Sequence, residues 1–345
     1  MSHRSLLQRL GRLGLAALTL AGTPLFADDS ADARARWHQS IGDRYALLAE
    51  AGEQLEASAH AYCDAPDAER RARLEEDWLD AYQAWQAVRF VDFGPIEQQS
   101  RAWQLQFWPD SKNLVGRKVQ LWLNAEAPPS IETIADDSVA VQGFPALEYL
   151  LFDEHMATPG ALAAPQACGL LQAVSGHLAD TGAALARDWQ AFGDHYRQTE
   201  SYTAATVQAG LQTLESLEDK RLAEPLGLAG SPANGYRAEA WRSARSVRLI
   251  ESSLAGLQDS FLPGLRPLLA EAGQTELADD FAAALDETRR RAADMAPGLA
   301  PSLDDPEAFS DLQGLYVKIG QLSWLGRQIA GTLGLVSGFN ASDGD

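Results

Sequence analysis

Apolar residues recur every three or four positions along most of the chain, which is the spacing that places them on one face of an α-helix. The clearest stripes lie at residues 41–62, 74–88, 171–196, 247–257, 277–288 and 312–322. The longest stripe predicts a helix from about Pro165 to about His195, with the proline in its first turn. Runs of valine and isoleucine bounded by turn residues, which would indicate strands, are absent from the sequence. The pattern therefore predicts an all-α protein.

Three stretches interrupt this helical pattern. They are residues 90–109, rich in aromatic side chains, and residues 125–143 and 223–235, both with prolines and glycines. A chain of 345 residues exceeds the usual size of one hydrophobic core. We place the domain boundary near residues 198–202, directly after the longest predicted helix. The sequence thus predicts two packed helical bundles, residues 28–200 and 201–345, of about four or five helices each.

Residues 1–27 have the pattern of a cleavable signal peptide. Arg4, Arg9 and Arg12 give a positive start, residues 13–20 form an apolar core, and a small residue, Ala27, precedes the first acidic residue. The apolar core is shorter than the ~20 residues that a membrane-spanning helix needs. We predict cleavage after Ala27, release into the periplasm, and no membrane insertion after cleavage.

The chain is strongly acidic. It has 28 lysine and arginine residues against 48 aspartate and glutamate residues, for a formal net charge of −20. Residues 1–27 hold three of the basic residues and none of the acidic ones, so the remainder is more acidic still. Nucleic acids and anionic lipids are poor partners for such a surface, and we expect neither. The acidic balance by itself does not identify a cation ligand.

The sequence contains two cysteines, Cys63 and Cys168. Outside the cytoplasm an isolated pair of cysteines can oxidise to a disulfide. The alternative is two separate buried thiols. Two cysteines are too few for a structural zinc cluster.

Common catalytic signatures are absent from the sequence. It has no His-Glu-x-x-His, Gly-x-Ser-x-Gly or Cys-x-x-Cys motif and no phosphate-binding glycine loop. The histidines beyond residue 27 never stand three or four positions apart, so no helix presents a pair of them to a metal.

The segment from Gln142 to Phe152 has the features of a helix start. Gly143 ends an irregular stretch, and Pro145 suits the first helical position. Glu148 would then lie in the first turn, where the positive end of the helix dipole favours a carboxylate.

Arg242, Arg245 and Arg248 stand three residues apart, with Ser243 among them. This spacing predicts a row of guanidinium groups on one face of a helix. The alternative interpretation is a solvated helix face without a ligand.

Two other groups of residues could bind ligands. Trp103, Phe107, Trp108 and Trp122 either line a pocket for a sugar or a porphyrin, or pack a loop against the first bundle. At the end of the chain, hard oxygen donors suit calcium or ferric iron, and a solvated tail is the alternative. These donors are Asn340, Asp343 and Asp345.

Several segments together resemble the imelysin family. Its hallmark is Gly-x-His-x-x-Glu followed by an aromatic residue and leucines at the start of a helix, and Gly143, Glu148 and residues 149–152 match it. The chain departs from this motif at Pro145, which occupies the place of the histidine. The resemblance extends to residues 89–97, 107–110, 241–243 and 338–345.

This resemblance implies an extracytoplasmic protein of two helical bundles with a site between them, often tied to bacterial iron uptake and classed with peptidases. At that site we expect Glu148 to be at least half buried, and Arg242 to pair with Glu148 or Asp110. The residues assigned to the inter-bundle site are Gly143, Pro145, Glu148, Trp108, Asp110, Arg242 and Ser243.

Proline offers neither a lone pair nor an N–H, so the departure at Pro145 favours a non-catalytic binding or accessory protein in iron or haem acquisition. The alternative is a metal-dependent peptidase in which Glu148 acts as general base or ligand. His155 lies seven residues from Glu148, about 10 Å along a helix, which is too far to share one metal unless the helix breaks.

The hypothesis of a non-catalytic binding protein also predicts a ligand and a partner. We expect iron or another hard cation rather than zinc, and as partner a small ligand or an outer-membrane iron-uptake component. A third hypothesis is a structural adaptor that docks an outer-membrane receptor through an acidic face.

Overall fold

The computed structural model describes residues 27–158 and 160–335. Within these residues the chain forms helices and the turns that join them, without a strand, which confirms the all-α prediction. Residues 1–26 of the predicted signal peptide lie outside the described residues. The same holds for the three predicted oxygen donors of the tail, Asn340, Asp343 and Asp345.

Two π-helical segments, Asp219–Ala223 and Leu257–Phe261, directly follow the eighth and the tenth α-helix. No helix of residues 27–158 and 160–335 is both long and apolar enough to cross a membrane. In chain order the α-helices of the described residues are α1 (Ala27–Asp64), α2 (Ala68–Val88), α3 (Arg101–Leu105), α4 (Leu114–Leu123), α5 (Ile131–Ala135), α6 (Gly143–Phe152), α7 (Pro165–Gln198), α8 (Ser201–Glu218), α9 (Glu224–Leu226), α10 (Ser246–Gly256), α11 (Leu262–Glu271), α12 (Thr275–Asp294), α13 (Leu299–Ser302) and α14 (Pro306–Thr332).

The apolar stripes become the buried faces of the long helices. The longest stripe forms α7, which begins at Pro165 as predicted and ends three residues beyond His195. The other stripes fall in α1, in α2, in α10 with the π segment after it, in α12 and in α14. Each helix buries one face against its neighbours, and only that face needs apolar residues.

A disulfide ties the two longest helices together. Cys63, one residue before the end of α1, is bonded to Cys168 in the first turn of α7, with 5.6 Å between their Cα atoms. The helices α1 and α7 pack against each other along much of their length. The bridge therefore fixes the register of the pair at one end.

The two halves of the chain meet over a continuous interface. The helix α2 packs on α10, and α1 packs on α11. A Cβ atom on Gly256 would lie 2.0 Å from the carbonyl oxygen of Ala87, so the backbones of α10 and α2 approach where only glycine fits. The indole N–H of Trp37 donates to the carbonyl of Phe261 at 2.6 Å. One cluster of buried apolar side chains extends through both halves.

The predicted domain boundary coincides with a break between helices. The helix α7 ends at Gln198 and α8 begins at Ser201, within the boundary predicted near residues 198–202. That this break separates two domains stays a prediction.

The three stretches that interrupt the helical pattern are only partly irregular. Residues 90–109 contain α3, residues 125–143 contain α5, and residues 223–235 contain α9. These helices have only three to five residues, too few to show a stripe of their own.

Candidate functional site

A cleft of about 1050 Å³ opens between the two halves of the chain. Residues 107–115, α6 and the turn after α6 line it from the first half, and residues 224–242 line it from the second half. Residues predicted from the sequence for the inter-bundle site meet here. Those that line the cleft are Trp108, Asp110, Pro145, Glu148 and Arg242.

Glu148 joins the two halves. Its side chain is 4% exposed, and its Oε1 accepts hydrogen bonds from the backbone N–H and the hydroxyl of Ser243, both at 2.9 Å. Burial raises the pKa of the Glu148 carboxyl, while the Ser243 hydrogen bonds and the charge of Arg242 lower it, and burial wins. The carboxyl is therefore buried and faces the second half, as the sequence predicts, but its partner is Ser243 rather than Arg242.

The helix that carries Glu148 begins earlier than predicted. It starts at Gly143, so Pro145 is its third residue and Glu148 lies in the second turn rather than the first. Gly143 has a φ of +69°, and a Cβ atom there would lie 2.1 Å from the carbonyl oxygen of Leu105. Gly143 does not line the cleft, and its role is to let α6 start against the end of α3.

Arg242 does not pair with Glu148 or Asp110. Its Nε lies 2.6 Å from Oδ2 of Asp153, and its guanidinium lies over the rings of Tyr149 and Trp241, at 5.1 and 4.3 Å. Burial would raise the pKa of Asp153, but hydrogen bonds from Arg242 and His155 outweigh burial and lower that pKa. The ion pair links the two sides of the cleft.

The prediction of one helix carrying Arg242, Arg245 and Arg248 is wrong. The helix α10 begins only at Ser246, and the preceding residues form turns in which Ala240 and Ala244 have positive φ. These turns bury the polar groups of Glu239 and Ser243 against partners in other elements. Such contacts override the local helical spacing.

Asp110 caps a helix. Its Oδ1 accepts from the N–H of Leu114 at 2.7 Å, and its Oδ2 accepts from the N–H of Val115 at 2.9 Å. Both oxygens are thereby used at the start of α4, where the free N–H groups of the first turn need acceptors. Asp110 shapes the wall of the cleft.

Only part of the predicted aromatic group lies at the cleft. Phe107 and Trp108 line the cleft. Trp103 is about half exposed and contacts the ring of Phe107, and Trp122 donates to Asp137 at 2.9 Å; neither lines the cleft. Two of the four residues thus fit a pocket.

His155 enters the cleft because α6 breaks. The helix ends at Phe152, Asp153 is extended, and a 3₁₀ turn over Glu154–Met156 follows. The Nδ1 of His155 lies 2.6 Å from Oδ1 of Asp153, and this hydrogen bond raises the pKa of the imidazole. A break in the helix was the condition for His155 to approach the Glu148 site, and the spacing of the sequence did not predict that break.

A buried ionic cluster that the sequence analysis missed lies beside the cleft. Glu239 is 2% exposed and forms an ion pair with the equally buried Arg221 of the π segment after α8. It also accepts from Arg89 at 2.9 Å and from Gln86 at 3.0 Å. The neighbours of Glu239 on either side, Ala238 and Ala240, line the cleft. The cluster therefore holds that wall in place.

The acidic and histidine side chains of residues 27–158 and 160–335 do not gather into a metal-binding cluster. Among residues 27–158 and 160–335 no group of three or more histidine, cysteine, aspartate or glutamate side chains is arranged to hold a metal ion. Near the cleft, Asp110 and Asp153 already accept hydrogen bonds through both carboxylate oxygens.

The raised pKa of Glu148 predicts a pH dependence of stability. The folded protein holds the Glu148 proton more tightly than the unfolded chain does, so stability falls as pH rises from the ordinary glutamate pKa through the raised one. Glu148→Gln keeps an acceptor for Ser243 but cannot ionise. We expect this variant to be at least as stable as the wild type at neutral pH and to lose less stability across that window.

Urea unfolding at a series of pH values between about 4 and 8 measures this difference. The matched control is Glu126→Gln at an exposed position outside the cleft. If the wild type and Glu148→Gln have the same pH profile, Glu148 is not a buried carboxyl with a raised pKa.

Comparison with known proteins agrees with this architecture. The model of the imelysin family, peptidase family M75, matches residues 41–323. An imelysin-like protein from Psychrobacter arcticum 273-4 superposes with a TM-score of 0.78 at 23% identity, covering 91% of this chain and 98% of that one. A "putative iron-regulated protein A precursor" from Parabacteroides distasonis ATCC 8503 gives 0.68 at 13% identity, covering 90% and 97%. The search of curated protein sequences gives no significant match.

Proposed function

Because the chain belongs to the imelysin family, we propose that it is a non-catalytic periplasmic binding protein in iron or haem acquisition, with the cleft as its binding site. The name of one structural neighbour, an iron-regulated protein, concerns iron, and it is carried over here only as part of the proposal. The single observation that carries the proposal is the large cleft in which the carboxylates of Glu148 and Asp153 are already engaged by Ser243 and Arg242.

The walls of the cleft suit a large, partly aromatic ligand. Trp108 and Trp241 line it from opposite halves of the chain, and Tyr236 contacts Trp241 edge-on, with 4.7 Å between ring centroids. A pocket of this kind binds through apolar ring faces and a few placed polar groups. Iron carried inside a larger organic ligand, as in haem, fits this lining better than a bare ion.

The residues at the motif position support binding rather than catalysis. Pro145 lines the cleft but has no donor or acceptor on its side chain, so it cannot share a proton or a metal with Glu148. Oε1 of Glu148 is held by two hydrogen bonds from Ser243. This arrangement favours a structural role for Glu148 in joining the halves.

Titration with ferric haem tests the proposed function. We expect saturable binding of one equivalent by the wild type and weaker binding by Trp108→Ala, which removes an aromatic wall. A useful control is Trp324→Ala, because Trp324 is 57% exposed on α14 and lies outside the cleft. Absence of saturable binding by the wild type, or equal weakening by both variants, contradicts the cleft as a haem site.

A second candidate function is metal-dependent peptide cleavage. The observation that favours it is the raised pKa of Glu148 in a cleft, which is typical of general bases and acids. Purified protein is assayed for bound zinc and for peptide cleavage with and without chelator, beside Pro145→His. Stoichiometric zinc and chelator-sensitive cleavage by the wild type would establish the peptidase and remove the non-catalytic proposal.

As a partner we propose an outer-membrane component of iron uptake. The support is the predicted export and the acidic surface, which would attract a basic face of a receptor.

A further inference from the structure

We infer that His155 binds the metal centre of a planar ligand that carries carboxylates, such as haem, through its Nε2 atom. This inference rests on the proposed function, because it concerns the same cleft. It goes further by assigning the metal-binding residue, and that residue lies outside the Gly143 to Glu148 motif.

The first support is the hydrogen bonding of the imidazole. Nδ1 of His155 is 2.6 Å from Oδ1 of Asp153, and the carboxylate also accepts from the backbone N–H of His155 at 3.1 Å. A carboxylate on one ring nitrogen fixes the tautomer and orients the ring, which leaves the other nitrogen as a basic ligand for a metal. The ring of His155 lies nearly parallel to that of Tyr149, with 6.5 Å between centroids.

The second support is that Asp153 and Tyr149, the two residues beside the His155 ring, are fixed by contacts of their own. Asp153 is 7% exposed, and its other oxygen, Oδ2, accepts a hydrogen bond from Nε of Arg242 at 2.6 Å. The hydroxyl of Tyr149 accepts from Gln120 at 2.7 Å. The imidazole is 65% exposed in its side chain, so a rigid base carries a ring that a ligand can reach.

The third support is the chemistry of the surrounding wall. Trp241 and Tyr236 offer ring faces and edges to a planar ligand. Lys112 and Arg237 also line the cleft and are exposed, and neither makes an ion pair with any other described residue. The positive charges of Lys112 and Arg237 are suited to the carboxylates of such a ligand.

The test compares His155→Ala with the matched control His60→Ala. His60 is exposed on α1 and does not line the cleft. The probes are ferric haem and protoporphyrin IX without metal. For His155→Ala we expect ferric haem to bind at least about tenfold more weakly. Loss of a residue that only hydrogen-bonds a metal ligand already lowers metal affinity by about tenfold or more, and loss of the ligand itself should have at least that effect. Metal-free protoporphyrin should bind both variants and the wild type alike.

The absorption spectrum distinguishes metal binding by His155 from a purely structural role of this residue. The wild-type complex should show the Soret band of imidazole-ligated ferric haem, His155→Ala should lose it, and added free imidazole should restore it. His60→Ala should behave as the wild type.

Two outcomes separate this inference from the proposed function. If His155→Ala binds ferric haem with the affinity and spectrum of the wild type, the assignment of His155 is overturned and the haem-binding function stands. If the wild type binds neither ferric haem nor metal-free protoporphyrin, both fall.

Discussion

Glu239→Ala is expected to lower the free energy of unfolding by about 3–5 kcal/mol, because it leaves the buried guanidinium of Arg221 without its counter-charge. Arg221 and Glu239 are 4% and 2% exposed in their side chains, so water cannot replace the lost partner. The hydrogen bonds that Arg89 and Gln86 donate to Glu239 are lost as well. Urea unfolding followed by circular dichroism measures the effect.

Asp279→Ala is the matched control for this substitution. It removes the carboxylate from an exposed ion pair with Arg266, which should change stability by less than about 1 kcal/mol. The double variant Arg221→Met/Glu239→Met should cost less than the sum of its two single changes, because neither charge is then left alone. A loss for Glu239→Ala no larger than that of the control would show that the cluster does not stabilise the fold.

Removal of the disulfide is expected to cost about 2–5 kcal/mol. The bridge between Cys63 and Cys168 spans 105 residues, and a loop of that size loses much conformational entropy in the unfolded state when it is closed. The variant Cys63→Ser/Cys168→Ser and the reduced wild type should show the same lowered midpoint in urea.

Thiol titration in denaturant without reductant supplies the complementary measurement. Protein isolated without reductant should have no free thiol, since the chain has no third cysteine. Two titratable thiols in such material would contradict the bridge, and equal midpoints for oxidised and reduced protein would contradict its stabilising role.

The fold was largely accessible from the sequence because long helices carry their burial pattern locally. A stripe such as the one in α7 is visible within a window of a few turns, and no distant residue is needed to read it. Helix starts were less accurate. The helix α6 begins at Gly143 because its backbone packs on the carbonyl of Leu105, a contact that sequence spacing does not reveal.

The site was only partly accessible, because its contacts join residues far apart in sequence. Glu148 was found through the motif, but Ser243, its partner, is 95 residues away. Arg242 and Asp153 are 89 residues apart, and Glu239 and Gln86 are 153 apart. Regular spacing of arginines near residue 242 predicted a helix, whereas these distant partners impose turns there.

The sequence did contain one local signal for the position of His155. An aspartate directly after an apolar helix can cap the next turn, and here Asp153 accepts from the N–H of His155, two residues on. The pattern Asp-x-His after Phe152 therefore favours a break in the helix and a carboxylate beside the imidazole.

A crystal structure of the protein with ferric haem tests most directly whether the cleft between the halves is the ligand site. We expect one porphyrin between Trp108 and Trp241, with its iron facing His155 and its carboxylates near Lys112 and Arg237. A saturated complex with the haem bound elsewhere, and the cleft free of it, would contradict the proposed binding site.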